Sequence, residues 1–223
     1  MPGNGRSTRR VSLLLGVALS VGACSGGGSD GSGWDETAQA ALTRCERLFG
    51  VDNVEAVRAH LGSEARFDSN DPDRIKADLL KTAEEWTPGG DDLRRVTYQA
   101  CLMKPSGDEY QPPVIGTVKW SLVTMDWVST GEEAAEWRKV ADDVYVQSMS
   151  LRPGLTAVLP CTLPGTAKGQ GEQLPLEVSV HDEGLGKASG ELLTGRLLAS
   201  LARNTHELLG CEDVLSVPDT LSS

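Results

Sequence analysis

Apolar residues recur every three or four positions in the first third of the chain, a spacing that predicts amphipathic helices. The first helix has its apolar face at Ala38, Ala41, Leu42, Cys45, Leu48 and Phe49, and Gly50 ends it. A second helix is predicted from Asn53 to Leu61. A third begins with Asp71 as N-cap and Pro72 in its first turn, and it ends before Pro88.

From Leu93 onward the apolar period changes to two, which predicts β-strands. Val96, Tyr98, Ala100 and Leu102 are predicted to share one face of the first strand. The run VIGTVKWSLVTMDWV predicts a long strand that bends after Ser121. Further strands are predicted in EWRKV, VYVQSMSL, LTAVLPC and LPLEVSV.

A final helical pattern is closed by Gly210. Its apolar positions are Leu198, Leu201, Ala202, Thr205, Leu208 and Leu209. Helices, then a block of strands, then one helix predict an α+β fold. We expect an antiparallel sheet of about five or six strands, with N-terminal helices and one C-terminal helix packed on it. Residues 34–223 contain no Pro/Gly/Ser tract long enough to divide them, so they are predicted to form a single domain.

The N-terminal segment has the pattern of an export signal. Three arginines, Arg6, Arg9 and Arg10, precede the apolar stretch from Val11 to Val21, which has about half the length that a membrane-spanning helix needs. Residues 1–23 are therefore predicted to be a signal peptide. The following SGGGSDGSG cannot bury apolar surface, so residues 24–33 are predicted to be a flexible tether.

The sequence VGAC at positions 21–24 resembles the lipobox of bacterial lipoproteins of the actinobacterial type. The resemblance implies cleavage between Ala23 and Cys24 and a diacylglyceryl group on Cys24, which would hold the protein at the outer face of the cell membrane. The alternative is an ordinary signal peptide cut after Ala23, with Cys24 as a free thiol. Arg9 and Arg10 also fit a twin-arginine signal, so the Sec and twin-arginine export routes both remain open.

The chain has five cysteines, an odd number for an exported protein. Assigning Cys24 to the lipid leaves Cys45, Cys101, Cys161 and Cys211, which predicts two disulfides rather than four reduced buried thiols. Bridges between helices and sheet would pair Cys45 with Cys101 and Cys161 with Cys211. Pairing Cys101 with Cys161 and Cys45 with Cys211 is the alternative. No cysteine lies in a CxxC pair or beside a histidine at metal-ligand spacing, so no metal is predicted.

The formal net charge is −11, and removal of the three arginines of the signal peptide takes it to −14. A surface of this sign repels nucleic acid and anionic lipid headgroups. We therefore expect no nucleic-acid partner. The expected partners are the membrane, through the lipid on Cys24, and an envelope protein or a small ligand.

The three histidines do not lie in a sequence pattern that is typical of a catalytic site. His60 and His206 fall on predicted helices and are expected at their solvent edge. His181 is followed by Asp182, Glu183 and the glycine-rich GLGKASG, which has the spacing of neither a dinucleotide loop nor a phosphate loop. We interpret this segment as a surface loop with an N-cap serine. Anion binding at the helix start, near Lys187 and Ser189, is the alternative.

Two acidic stretches are open to a cation-binding interpretation. Asp68 to Asp73 lacks the ligand spacing of an EF-hand calcium loop and is better explained by helix capping. A second acidic group is predicted to be a solvated hairpin rim rather than a cation site; it consists of Glu132, Glu133, Glu136, Asp142 and Asp143.

Five tryptophans stand out in a chain with 4% aromatic residues. Core packing is their expected role. Trp120, Trp127 and Trp137, with His181, form the candidate ligand surface, for a carbohydrate or peptide.

The segments EWRKVADDVYVQ, VLPC and LARNTHELLGCEDVLSVPD together are similar to exported actinobacterial proteins of unknown function. This resemblance implies a fold type and assigns no catalytic residue. The sequence thus predicts a lipid-anchored extracytoplasmic protein that acts as a non-enzymatic binding module at the cell envelope, without a cofactor. An envelope hydrolase or other enzyme with an unrecognised site, and a purely structural envelope protein, are the alternatives.

Overall fold

Alternation of side chains along the strands gives one sheet with an apolar face that carries the main hydrophobic core; a smaller apolar cluster, which includes Tyr145 and Val158, is separate from it. The computed structural model describes residues 36–90, 95–106, 111–132, 134–149, 153–183, 185 and 187–223, with no side-chain description for 187–190. The predicted signal peptide, Cys24 and the tether lie outside the described residues.

The described residues form six α-helices and a one-turn 3₁₀ helix (Ala134–Glu136). The α-helices are α1 (Glu36–Phe49), α2 (Val51–Leu61), α3 (Pro72–Glu85), α4 (Met125–Thr130), α5 (Gln170–Gln173) and α6 (Lys187–Leu209). At the start of α3 the Asp71 side chain accepts a hydrogen bond from the backbone N–H of Asp73, at 2.9 Å. The predicted capping role of this acidic stretch is therefore confirmed.

The strands form one antiparallel sheet in the order β1-β2-β3-β7-β6-β5-β4. They are β1 (Arg66–Asp68), β2 (Tyr98–Lys104), β3 (Val114–Trp120), β4 (Arg138–Ala141), β5 (Val144–Ser148), β6 (Gly154–Leu159) and β7 (Leu176–His181). The α+β class is confirmed. The sheet has seven strands rather than five or six, because the short β1 also pairs with β2.

The helices α1, α2, α3 and α6 pack on the apolar face of the sheet. At Gly116 in β3, a Cβ atom would overlap the ring of Phe49 from α1, so glycine permits this close approach. Trp120, at the end of β3, donates its indole N–H to the carbonyl oxygen of Leu79 in α3, at 2.9 Å. These contacts join the helical layer to β3.

Two sequence predictions fail in detail at β2 and after β3. A register irregularity between Gln99 and Cys101 places Ala100, Cys101 and Met103 in the core and leaves Leu102 half-buried, so the predicted common face of Ala100 and Leu102 is wrong. The predicted long strand with a bend after Ser121 instead ends at Trp120. The hydroxyl of Thr124 accepts from the N–H of Trp127, and this cap starts α4.

Both disulfides predicted first are present: Cys45 pairs with Cys101, and Cys161 pairs with Cys211. The first joins α1 to β2. The second joins the residues after β6 to the segment after α6. The first cross-link therefore ties a helix to the sheet, and the second ties the segment that follows a strand to the segment that follows a helix.

After α6, residues 211–223 run back along that helix, and we call them the C-terminal strap. The guanidinium of Arg203 donates to the carbonyl oxygens of Val217 and Pro218, each at 3.2 Å. Leu221 is fully buried, and its N–H donates to the carbonyl oxygen of Gly195 at 3.1 Å. The strap thereby returns the chain to the N-terminal half of α6.

Candidate functional site

A cleft of about 550 Å³ lies where β5 and β7 end and β6 begins. The register brings these ends together, because Gly154 pairs with His181 and Ser148 pairs with Leu155. The described lining consists of Ser148, Met149, Pro153, Gly154, Leu155, Asp182, Glu183, Glu191, Thr194, Ser222 and Ser223. The cleft therefore joins three strand ends, the first turns of α6 and the C-terminal strap.

Asp182 is held in the wall of this cleft by three hydrogen bonds. Its side-chain Oδ2 accepts from the hydroxyl of Thr194, at 2.6 Å, and Thr194 is fully buried in α6. Its backbone N–H donates to Pro153, and its carbonyl oxygen accepts from Leu185. Since both backbone and side chain are fixed, the carboxylate has a defined position.

The strand end next to Asp182 depends on a glycine. Gly154 has φ +148°, and a Cβ atom there would overlap the carbonyl oxygen of Val180 and come within 3.0 Å of the sulfur of Met149. A side chain at this position would therefore displace Met149 and separate β6 from β7. Adjacent proline and glycine at positions 153 and 154, which are common in turns, are the sequence signal for this part of the cleft.

The described lining is acidic, with carboxylates on Asp182, Glu183 and Glu191 and no lysine or arginine. Among the ion pairs of the described residues, none involves Asp182 or Glu191. The alternative of anion binding near Lys187 and Ser189 falls on side chains outside the described residues, so it stays a prediction. Ser189 also lies inside α6, which begins at Lys187, so the expected N-cap serine is wrong.

His181 lies at the end of β7, one residue before the cleft wall, and is partly exposed. Ser179 is the serine on the same face of β7, and its hydroxyl is 2.9 Å from that of Thr156. Cys45, Cys101, Cys161 and Cys211 are all in disulfides, so none is available as a thiolate nucleophile. The sequence singled out His181 and, after it, Asp182 and Glu183, which line the cleft, but not the lining residues from β5, α6 and the strap.

The three tryptophans of the candidate ligand surface differ in burial. Trp120 is 1% exposed and lies in the core, so it is not part of a ligand surface. Trp127 is 40% exposed on α4, and Trp137 is partly buried against a small cluster that includes Tyr145 and Val158. None of the three lines the cleft.

A second, more open groove lies between α1 and α3, but its charges are largely matched. Arg47 donates to the carboxylate of Asp73 at 3.0 Å, and this hydrogen bond lowers the pKa of Asp73 below its usual value. Arg44 donates to the hydroxyl of Ser69. The groove therefore has no uniform charge that would select a ligand.

The described residues contain no group of three His, Cys, Asp or Glu side chains arranged to hold a metal ion. Within the same part of the chain, no helix has the length and hydropathy needed to cross a membrane. No protein-family model, curated protein or solved structure gave a significant match to the chain.

Proposed function

We propose that this protein is a lipid-anchored, extracytoplasmic binding protein, without catalytic activity, whose ligand site is the cleft at the ends of β5, β6 and β7. The anchor rests on the sequence: Cys24 follows the predicted signal peptide and precedes the predicted tether. Two disulfides are compatible with an exported protein, because such bonds persist in oxidising compartments.

The observation that carries the binding role is the cleft itself. Its volume of about 550 Å³ is that of a small-molecule site. Its described lining is mixed: the apolar residues Met149, Pro153 and Leu155 lie beside hydroxyl and carboxylate groups, and the carboxylate of Asp182 is fixed by a buried hydroxyl. Ligand sites use polar groups fixed in this way to orient what they bind.

The binding role can be tested by thermal unfolding of the detergent-solubilised protein with a panel of small cations, anions and neutral molecules. Ser148→Trp fills the cleft, because Ser148 lines it and is exposed. Ser63→Trp is the matched control, since Ser63 is exposed in the loop after α2. A bound ligand raises the unfolding temperature by mass action.

We expect at least one compound to stabilise the wild type and Ser63→Trp, but not Ser148→Trp. Equal stabilisation of all three proteins, or no stabilisation of the wild type by any compound, would contradict a ligand site in the cleft. Mass spectrometry of the same mixtures shows whether the protein only binds a compound or also converts it. Conversion of a bound compound to a product would contradict the non-enzymatic role.

A further inference from the structure

We infer that the cleft selects a ligand that carries a positively charged nitrogen on an apolar stem, that is, an alkylammonium group. This inference rests on the proposed function, because it assigns a ligand class to the same cleft. Alkylammonium groups occur both in free amines and in lysine side chains, and the experiment below separates these two sources.

The first support is that the carboxylates of this cavity attract a positively charged group. A concave site walled by low-dielectric protein concentrates the field of its charges, so carboxylates lining a cleft attract cations more strongly than the same groups on a flat surface. Asp182 and Glu191 come from different elements, the end of β7 and α6, and both line this cavity. A cation in the cleft is therefore attracted by both.

The second support is the way in which Asp182 is held. Thr194 has one hydroxyl proton, and it donates that proton to Oδ2. An ionised carboxylate has about four lone-pair positions, so Asp182 retains capacity to accept further hydrogen bonds. An ammonium group has three N–H donors and no acceptor, which complements a carboxylate fixed in this way.

The third support is the apolar part of the lining. Met149, Pro153 and Leu155 line the same cavity as the carboxylates. A bare metal ion makes no use of these groups, whereas the methylene chain of an alkylammonium ion removes its apolar surface from water against them. Methionine adapts readily to ligand shape because its side chain is unbranched.

Three probes with the same six-carbon stem test the charge requirement: hexylamine, hexanol and hexanoate. Isothermal titration of the detergent-solubilised protein should give saturable binding of hexylamine, at least about tenfold weaker binding of hexanol, and none of hexanoate. Hexylamine binding should weaken as salt is added, because ions screen the attraction. Nα-acetyl-lysine methylamide is added as a fourth probe; binding of hexylamine alone points to a small amine, and binding of both to a lysine side chain.

Substitutions then locate the charge. Asp182→Asn keeps the shape of the side chain and its ability to accept from Thr194, and should weaken hexylamine binding by about tenfold or more. Glu191→Gln, on an exposed position, should weaken it by a smaller factor without threatening the fold. Glu207→Gln is the matched control: it is exposed on the same helix, about 24 Å along the axis, and should leave the affinity unchanged.

Hexanol or hexanoate binding as tightly as hexylamine would overturn the inference, as would wild-type affinity in both Asp182→Asn and Glu191→Gln. If those neutral or anionic probes bind and Ser148→Trp abolishes their binding, the cleft remains a ligand site of another class and the proposed function stands. If hexylamine binds equally well to Ser148→Trp, the cleft is not the binding site. That result would contradict both the ligand class and the proposed function. If no probe binds, the ligand class is wrong, and the panel described above decides on the proposed function.

Discussion

His206 shows how burial changes the chemistry of a single residue on α6. The sequence placed it at the solvent edge, but it is only partly exposed, and its Nε2 has no hydrogen-bond partner among the described residues. Burial lowers the pKa of His206 below its usual value of 6.5, because it disfavours the charged imidazolium, and the negative charge of Asp213 opposes this effect. The native state therefore favours the neutral ring.

This lowered pKa predicts a loss of stability in acid. Below about pH 6.5 the unfolded chain binds a proton at His206 more readily than the native chain does. The free energy of unfolding therefore decreases as the pH is lowered, until the pH is below the native pKa as well. The drop in melting temperature between about pH 7.5 and 5.5 should be smaller in His206→Gln than in the wild type. His60→Gln, at an exposed position, should retain the wild-type drop. An identical drop in all three proteins would contradict this account.

At the scale of elements, the C-terminal strap depends on one buried side chain. Leu221 is fully buried near Gly195, whereas Leu192, on the same helix as Gly195, is 66% exposed. Leu221→Ala should lower the free energy of unfolding by about 2–5 kcal/mol, because it removes buried methyl groups and leaves a cavity. Leu192→Ala should change it by less than about 0.5 kcal/mol. Urea unfolding measures both, and similar small effects would show that the strap adds little stability.

The disulfides act on the unfolded chain. The bonded cysteines are 56 and 50 residues apart, so each bridge restricts a long loop in the unfolded state. In the chain-entropy model, replacing Cys45 and Cys101 together by alanine should lower the free energy of unfolding by about 4 kcal/mol, and replacing Cys161 and Cys211 by about the same amount. Wild-type urea midpoints in both double variants would be incompatible with this stabilising role.

The elements that the sequence predicts well have strong local signals. Asp71 and Pro72 start α3, and Gly62 ends α2. The failures arise where tertiary contacts override the local pattern. Ala100 breaks the alternation of β2 at an irregular pairing with β3, and α6 begins inside a glycine-rich segment that reads as a loop, because packing on β3, β6 and β7 stabilises the whole helix.

At the scale of the whole molecule, the cleft could not be predicted from the sequence because distant segments build it. Ser148, Asp182, Thr194 and Ser222 meet only through the order of the sheet and the return of the strap along α6. The sequence directed attention to His181 and the acidic residues after it, since a strand ends there. It did not predict Thr194, because a threonine inside a helical pattern carries no local signal of a role.

The proposed position of the molecule follows from charge and tether. A mature chain of net charge −14 would be repelled by anionic headgroups, so the proposed Gly/Ser tether would allow the domain to stand away from the membrane. The proposed location therefore depends on whether Cys24 carries a lipid.

Mass spectrometry of the N-terminal peptide from membrane-bound protein tests this most directly, with a Cys24→Ala variant fractionated in parallel. The account predicts that the mature chain begins at Cys24 with a diacylglyceryl thioether, and that Cys24→Ala is released or left unprocessed. An unmodified Cys24, together with unchanged membrane retention of Cys24→Ala, would contradict it.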